Sequence, residues 1–175
     1  MTPREELRRE HGNIMKVVSR FQTLIRDPLP PIPELIREFR RILLFMDVYV
    51  DRCHHGKEEA ILFPGLEASH DEAMAPLVSD LRREHEDARR SVDALRAALP
   101  GPGNENVHPH DDFFVQCDAT IALMRAHIRK ENAVLLPAIE RLLTDGAQVR
   151  MEAAFQRFEK GIPGLAEVRR TLLSE

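Results

Sequence analysis

The residues of this chain best suited to chemistry are histidines and glutamates spaced four apart. His54 and Glu58 lie in HHGKEEAILFP, residues 54–64, and His127 and Glu131 in HIRKENAVLLP, residues 127–137. On a helix, side chains at i and i+4 lie roughly 40° apart on one face, so an imidazole and a carboxylate can meet one cation. Aligned without gaps, the two segments share the histidine, a lysine, the glutamate, an alanine, a leucine and the proline. LRREH occurs at residues 7–11 and again, letter for letter, at 81–85. His54 follows His11 by 43 residues and His127 follows His85 by 42, so each half carries one upstream histidine and one histidine–glutamate pair. Two matches in the same order at nearly one offset mark an internal repeat. They predict two similar helical hairpins facing each other.

Helices must position these groups, and the sequence delimits them. Thr2 reads as an N-cap, with Pro3 at the first helical position and Glu5 closing a capping box. Leu7, His11, Ile14, Val18, Phe21 and Ile25 then recur at helical spacing, which predicts a helix to about Arg26 with His11 on its apolar stripe. DPLPPIP, residues 27–33, cannot continue it, because consecutive prolines remove donors and force extended neighbours. A second helix starts near Pro33 and carries Leu35, Phe39, Ile42, Met46, Tyr49 and Cys53 in steps of four and three. In an α-helical register His54 falls at the edge of that stripe and His55 nearly opposite. The pattern therefore points His54 and Glu58 inward and leaves His55 and Glu59 outside. The repeat agrees, since Glu58 matches Glu131 whereas Glu59 matches Asn132. Pro64 and Gly65 weaken or end this helix, and residues 67–76 read as a turn.

A third helix begins near Ala75 or Pro76, with Leu77, Leu81, His85, Val92, Leu95 and Leu99 on its inner face. PGPGNENVHPHD, residues 100–111, is a flexible link that leaves His108 and His110 in solvent. The fourth helix runs from about Asp112 to Leu143, with Phe113, Cys117, Ile121, Met124, His127, Glu131, Leu135 and Ile139 on its buried face, and Thr144, Asp145 and Gly146 end it. These spans make residues 1–145 a four-helix unit. Residues 146–175 hold an amphipathic stretch with Met151, Phe155, Phe158 and Ile162, then GIPG, then a short charged helix. This segment is too short to be a fifth full member and is expected to pack on the bundle or at a subunit contact, in a monomer or a homodimer.

Composition bounds the class. The chain has 175 residues, 5% aromatics and no tryptophan, and no long run of alternating β-branched residues, which favours an all-α fold. A net charge of −4 gives no basic footprint for nucleic acid or an anionic membrane. Two cysteines, Cys53 and Cys117, make neither a disulfide framework nor a zinc–thiolate cluster; they read as small core residues. No stretch is apolar enough to span a bilayer, and MTPREELRREHGN is charged where a signal peptide would be apolar. A reducing cytoplasm is the expected setting.

Four inward histidines and two inward glutamates demand an explanation. A buried ionised carboxylate without a partner costs several kcal/mol or shifts its pKa upward, and no lysine or arginine falls on the inner stripes to compensate. A cation does compensate: imidazole suits iron, zinc and copper, and carboxylate adds a hard oxygen donor with its charge. His11, His54, Glu58, His85, His127 and Glu131 are thus six candidate metal ligands. Glu59, Lys57 and Lys130 read as solvated groups or as supports for the ligands, and His55 as a surface residue.

With LRREH, HHGKEEAILFP, REHEDAR and HIRKENAVLLP in this order, residues 1–143 resemble the hemerythrin-like, HHE cation-binding family. The resemblance implies an up-down four-helix bundle around a non-haem di-iron centre, bridged by carboxylates and an oxo or hydroxo group, with zinc as another metal. It implies a small diatomic molecule or peroxide as the partner, either sensed or handled at an open iron position; the alternatives are an enzyme, decomposing peroxide or repairing iron–sulfur clusters, and a structural zinc bundle. The chain departs from oxygen-carrying members. Leu81 and Arg89 stand four residues either side of His85, where those proteins have a second histidine, and Glu131 is followed by Asn132. Six ligands result, with water, His70 or Tyr49 for a seventh.

Overall fold

The structure, a computed structural model, describes residues 1–173 except 27, 102 and 105. Asp27 in the first link, Pro102 and Glu105 in the second, and residues 174–175 therefore lie outside the described residues. Every described element is helical. Helix α1 (Pro3–Leu24) opens on the expected capping box: the Glu5 amide donates to Thr2 Oγ1 at 3.2 Å and the Thr2 amide donates to the Glu5 carboxylate at 2.8 Å. The second helix begins as α2 (Ile32–Phe45), becomes π-helical over Met46–His55 and again over Glu58–Leu62, and closes as α3 (Phe63–Glu67). Helix α4 (Met74–Ala98) returns, and α5 (Asp111–Lys130) leads through a third π-helical stretch, Glu131–Leu135, into α6 (Leu136–Leu142).

The order of the core residues along each helix gives the topology. One apolar cluster holds Phe21, Phe39, Tyr49, Val92 and Phe113, and a second holds Leu7, Leu62, Phe63, Leu81 and Leu135. The chain meets the second cluster first in α1 and α4, and the first cluster first in the other two long helices, so neighbours run up and down. His11 lies between Leu7 and Ile14, His54 between Cys53 and Leu62, His85 between Leu81 and Ala88, and His127 between Met124 and Leu135. The histidines thus form a polar layer between two apolar ones.

Of the two outcomes the sequence allows at Pro64, a weakened helix or an ended one, the structure shows the first. A proline inside an α-helix loses one hydrogen bond and collides with the carbonyl four residues back. Here the turn before it is widened: the Phe63 amide bonds the Glu58 carbonyl, five residues back, and the Leu136 amide bonds the Glu131 carbonyl in the same way ahead of Pro137. The widened turn begins at the glutamate in both halves, so the repeat in sequence is also a repeat in backbone form.

Thr144 does not merely stop the fourth helix. Its hydroxyl accepts from the Ala147 amide and caps α7 (Asp145–Lys160), which is followed by α8 (Leu165–Leu173). Phe155 and Met151 of α7 join the Leu7 cluster, and Leu165, Val168 and Leu172 of α8 join the Phe21 cluster. Gly56 lets α7 approach, since a Cβ there would stand 2.9 Å from the Phe158 ring. Among the described residues no helix is long and apolar enough to cross a membrane.

Candidate metal centre

Both halves place their upstream histidine and their histidine–glutamate pair in the same layer. His11 Nε2 lies 3.0 Å from Glu131 Oε2, and His127 Nε2 lies 3.0 Å from Glu131 Oε1. His85 Nε2 stands 3.3 Å from Glu58 Oε2, and His54 Nε2 stands 3.8 Å from both carboxylates. Donor atoms of His11, His54, Glu58 and Glu131 fall within 4.8 Å of one another, and so do those of Glu58, His85, His127 and Glu131. The two groups share both glutamates. First-row cations bond such donors at about 2.0–2.2 Å, so each group spans the separations one ion requires.

Each ring is held from behind. Nδ1 of His11 donates to the Asn132 side-chain oxygen at 2.9 Å, His54 to Glu10 at 3.0 Å, His85 to Glu59 at 2.7 Å and His127 to Glu84 at 2.8 Å. The three carboxylates can only accept and Asn132 presents its oxygen, so Nδ1 carries a proton in each ring and Nε2 is the nitrogen left facing the cluster, the orientation a metal ligand needs. The supports repeat as the ligands do. Glu10 and Glu84 precede the histidine in the two copies of LRREH, while Glu59 and Asn132 follow the glutamate in the two hairpins. Each of the latter pair holds the histidine of the opposite half. Of these four, sequence alone suggests only Glu59 as a support; the matching positions in the repeat are the signal that could have found the others.

His55 overturns its sequence assignment. It is 1% exposed, not on the surface, and its ring stacks on His85 with centroids 3.8 Å apart and planes at 11°. Its donor atom falls within 4.8 Å of those of His85 and His127. The cause is the ten-residue π-helical stretch ending at His55. With bonding to i+5 each residue advances through less than the ~100° of an α-helix, and the accumulated lag swings His55 inward beside His54. The two residues weighed for a seventh ligand are placed elsewhere: His70 is exposed in the turn after α3, and Tyr49 accepts from Asn13 at 2.8 Å and stacks on Phe45.

Lys57 is also buried, 0% exposed, where the inner stripes suggested no cation. Its ammonium answers Glu6, Glu10 and Glu159, at 2.7 Å from Glu6 and 2.8 Å from Glu159, and leaves Glu58 and Glu131 uncompensated. Both oxygens of each of those glutamates, both nitrogens of His55, and Nε2 of His11, His54, His85 and His127 are buried with no hydrogen-bond partner. Unpartnered polar atoms are rare in protein interiors; ten converging on one layer fit a cation-binding centre.

Charge in the layer points the same way. Burial disfavours a proton on His54, but the Glu58 carboxylate and the Glu10 hydrogen bond outweigh it and raise the pKa to about 10. His85 and His127 rise to about 11 and about 9 against the same burial, drawn by Glu131 and Glu58 and by Glu131 respectively. His55 is pushed well below the usual range by burial and then by the neighbouring imidazoles. The layer therefore attracts positive charge and leaves His55 as a neutral donor. A cavity of about 160 Å³ reaches His55 from the surface between the first π-helical stretch and α4, lined within by Met46, Val50, Val92 and Met124. At its mouth Arg89 is already paired with Asp51 and Glu59, each at 2.7 Å.

A family model, the hemerythrin HHE cation binding domain, matches residues 2–139. Relatives include an uncharacterized protein of Mycobacterium bovis and one from each of two strains of Mycobacterium tuberculosis, each 27% identical over 149 residues, 82% of this chain and 56% of the relative. The chain spans just over half the length of these relatives. No solved structure matches it.

Proposed function

The chain belongs to the hemerythrin HHE cation-binding family, and from that premise we propose that it holds two iron ions and handles a small neutral molecule there: dioxygen, nitric oxide or peroxide. The observation that supports this reading is the set of buried, unpartnered donors in two groups that share Glu58 and Glu131. His11 and His54 would complete one position, and His85, His127 and His55 the other, with the two carboxylates common to both. Such a pair of ions supplies redox and Lewis-acid chemistry. The position with two histidines has fewer protein donors than the one with three, which favours it as the open one.

The chain's own groups do the rest. Glu10, Glu59, Glu84 and Asn132 orient the rings, and the apolar clusters above and below the layer exclude water. The cavity that meets the layer at His55, on the side of the three-histidine position, is lined by two arginines, Arg89 and Arg96, each already paired with a carboxylate, so it does not favour an anion. Anaerobic titration with ferrous iron tests the reading: two ions should bind per chain, and on oxidation a ferric pair should absorb in the near ultraviolet. Uptake of a single zinc ion in preference, with no such absorption after iron loading, would sink it. Adding hydrogen peroxide to the loaded protein then separates sustained oxygen release, the mark of an enzyme, from a single optical change, the mark of a sensor.

A further inference from the structure

Apart from His55, whose match in the repeat is Ile128, the two halves of the centre match at every ligand, but they differ behind His54. Glu84 holds His127 and Lys130 at the surface, and Lys130, 36% exposed, has no other carboxylate partner among the described residues. Its counterpart Lys57 is sealed by a third carboxylate, Glu159, which comes from α7 and therefore lies beyond the residues matched by the family model. Glu159 is in turn gripped by Arg169 of α8 in a two-pronged pair, at 2.9 Å and 2.7 Å. The Arg169 guanidinium lies over Tyr49, and its Nη2 stands only 3.9 Å from Glu10 Oε1. Glu10 is the carboxylate that fixes the His54 ring.

We propose that Glu159 is a positioning residue for His54: it engages Arg169 and shares Lys57, and so leaves Glu10 free to hold the ring. This rests on the reading of His54 as a ligand. Without the Glu159 charge, Arg169 would turn to the nearest remaining carboxylate, Glu10. Glu10 would then serve both Lys57 and Arg169, and its bond to His54 Nδ1 would weaken. The terminal helices are thus a working part of one half of the centre.

The test uses the full chain and two readouts. Titration with cobalt(II) should show that Glu159→Gln weakens one of two bound ions about 10- to 100-fold, the range for a lost support behind a ligand, and leaves the other unchanged. Adding Arg169→Gln removes the competing cation and should restore the lost affinity, a rescue that general loosening of the C-terminal helices does not produce. In the cation-free protein, imidazole ¹H–¹⁵N spectra should show the His54 Nδ1 proton shifted in the single variant and returned in the double one. Equal weakening at both ions, or a double variant no better than the single, overturns the proposal. Should the unsubstituted chain fail to bind two ions, the two-ion reading falls, and the imidazole spectra still decide whether Glu159 positions His54.

Discussion

Glu58 and Glu131 are the residues whose loss the centre can least absorb, because both donor groups include both of them. Glu58→Ala or Glu131→Ala should abolish binding of both ions, read by metal analysis after dialysis. His55→Ala should remove one ion and spare the position built on His11 and His54. Glu59→Ala, which sequence alone would rank as harmless, should weaken binding about 10- to 100-fold, because Glu59 holds His85 at 2.7 Å. The six residues picked from the repeat all lie in the buried layer, since i, i+4 spacing and duplicated pentapeptides are local signals that folding preserves. His55 was not legible. Its match in the repeat is Ile128, and only the change of helical pitch turns it inward.

The same change of pitch governs what could be read at the scale of the element. Apolar spacing located the long helices to within a few residues, because α-helical periodicity holds over most of α1, α2, α4 and α5. It fails between Met46 and Leu62, where π-helical turns break the period and where α7 and α8 cover the face that solvent would otherwise meet. Tyr49 and Cys53 are buried as their stripe implies, but His55 and Lys57 are buried there too, and no pattern within the second helix announces a partner 100 residues away. Gly56 tests this contact. An alanine in a helix gains about 1 kcal/mol over glycine, while forcing a methyl into a packed site costs about 1–3 kcal/mol. Gly56→Ala should therefore destabilise by about 0–2 kcal/mol in thermal unfolding. In a Phe158→Ala background, where the ring 2.9 Å away is gone, the same substitution should stabilise by about 1 kcal/mol.

At the scale of the whole molecule, stability is tied to what fills the polar layer. In the cation-free protein His127, His54 and His85 have pKa values raised to about 9, 10 and 11 by burial-resisting carboxylates, so the folded state holds their protons more tightly than the unfolded chain. That contribution is complete below about pH 6.5 and fades as pH rises through 9 to 11. Glu131, held well below the carboxylate range against its burial by His127, acts in the opposite sense and loses its contribution in acid. The thermal midpoint of the cation-free protein should accordingly fall between pH 7 and pH 11, and cation uptake at neutral pH should release protons, measurable by calorimetry in buffers of different ionisation enthalpy. At a hundredfold excess over Kd, one ion adds about 2.7 kcal/mol, or about 5–10 °C for a chain of this size. The crossed supports carry one more consequence, for the order of events in folding. His11 is steadied by Asn132, 121 residues later, and His85 by Glu59 of the preceding hairpin. Neither hairpin steadies its own upstream histidine, so a cation that needs all four oriented rings should bind only once the two hairpins have met, and its presence should leave the refolding rate unchanged.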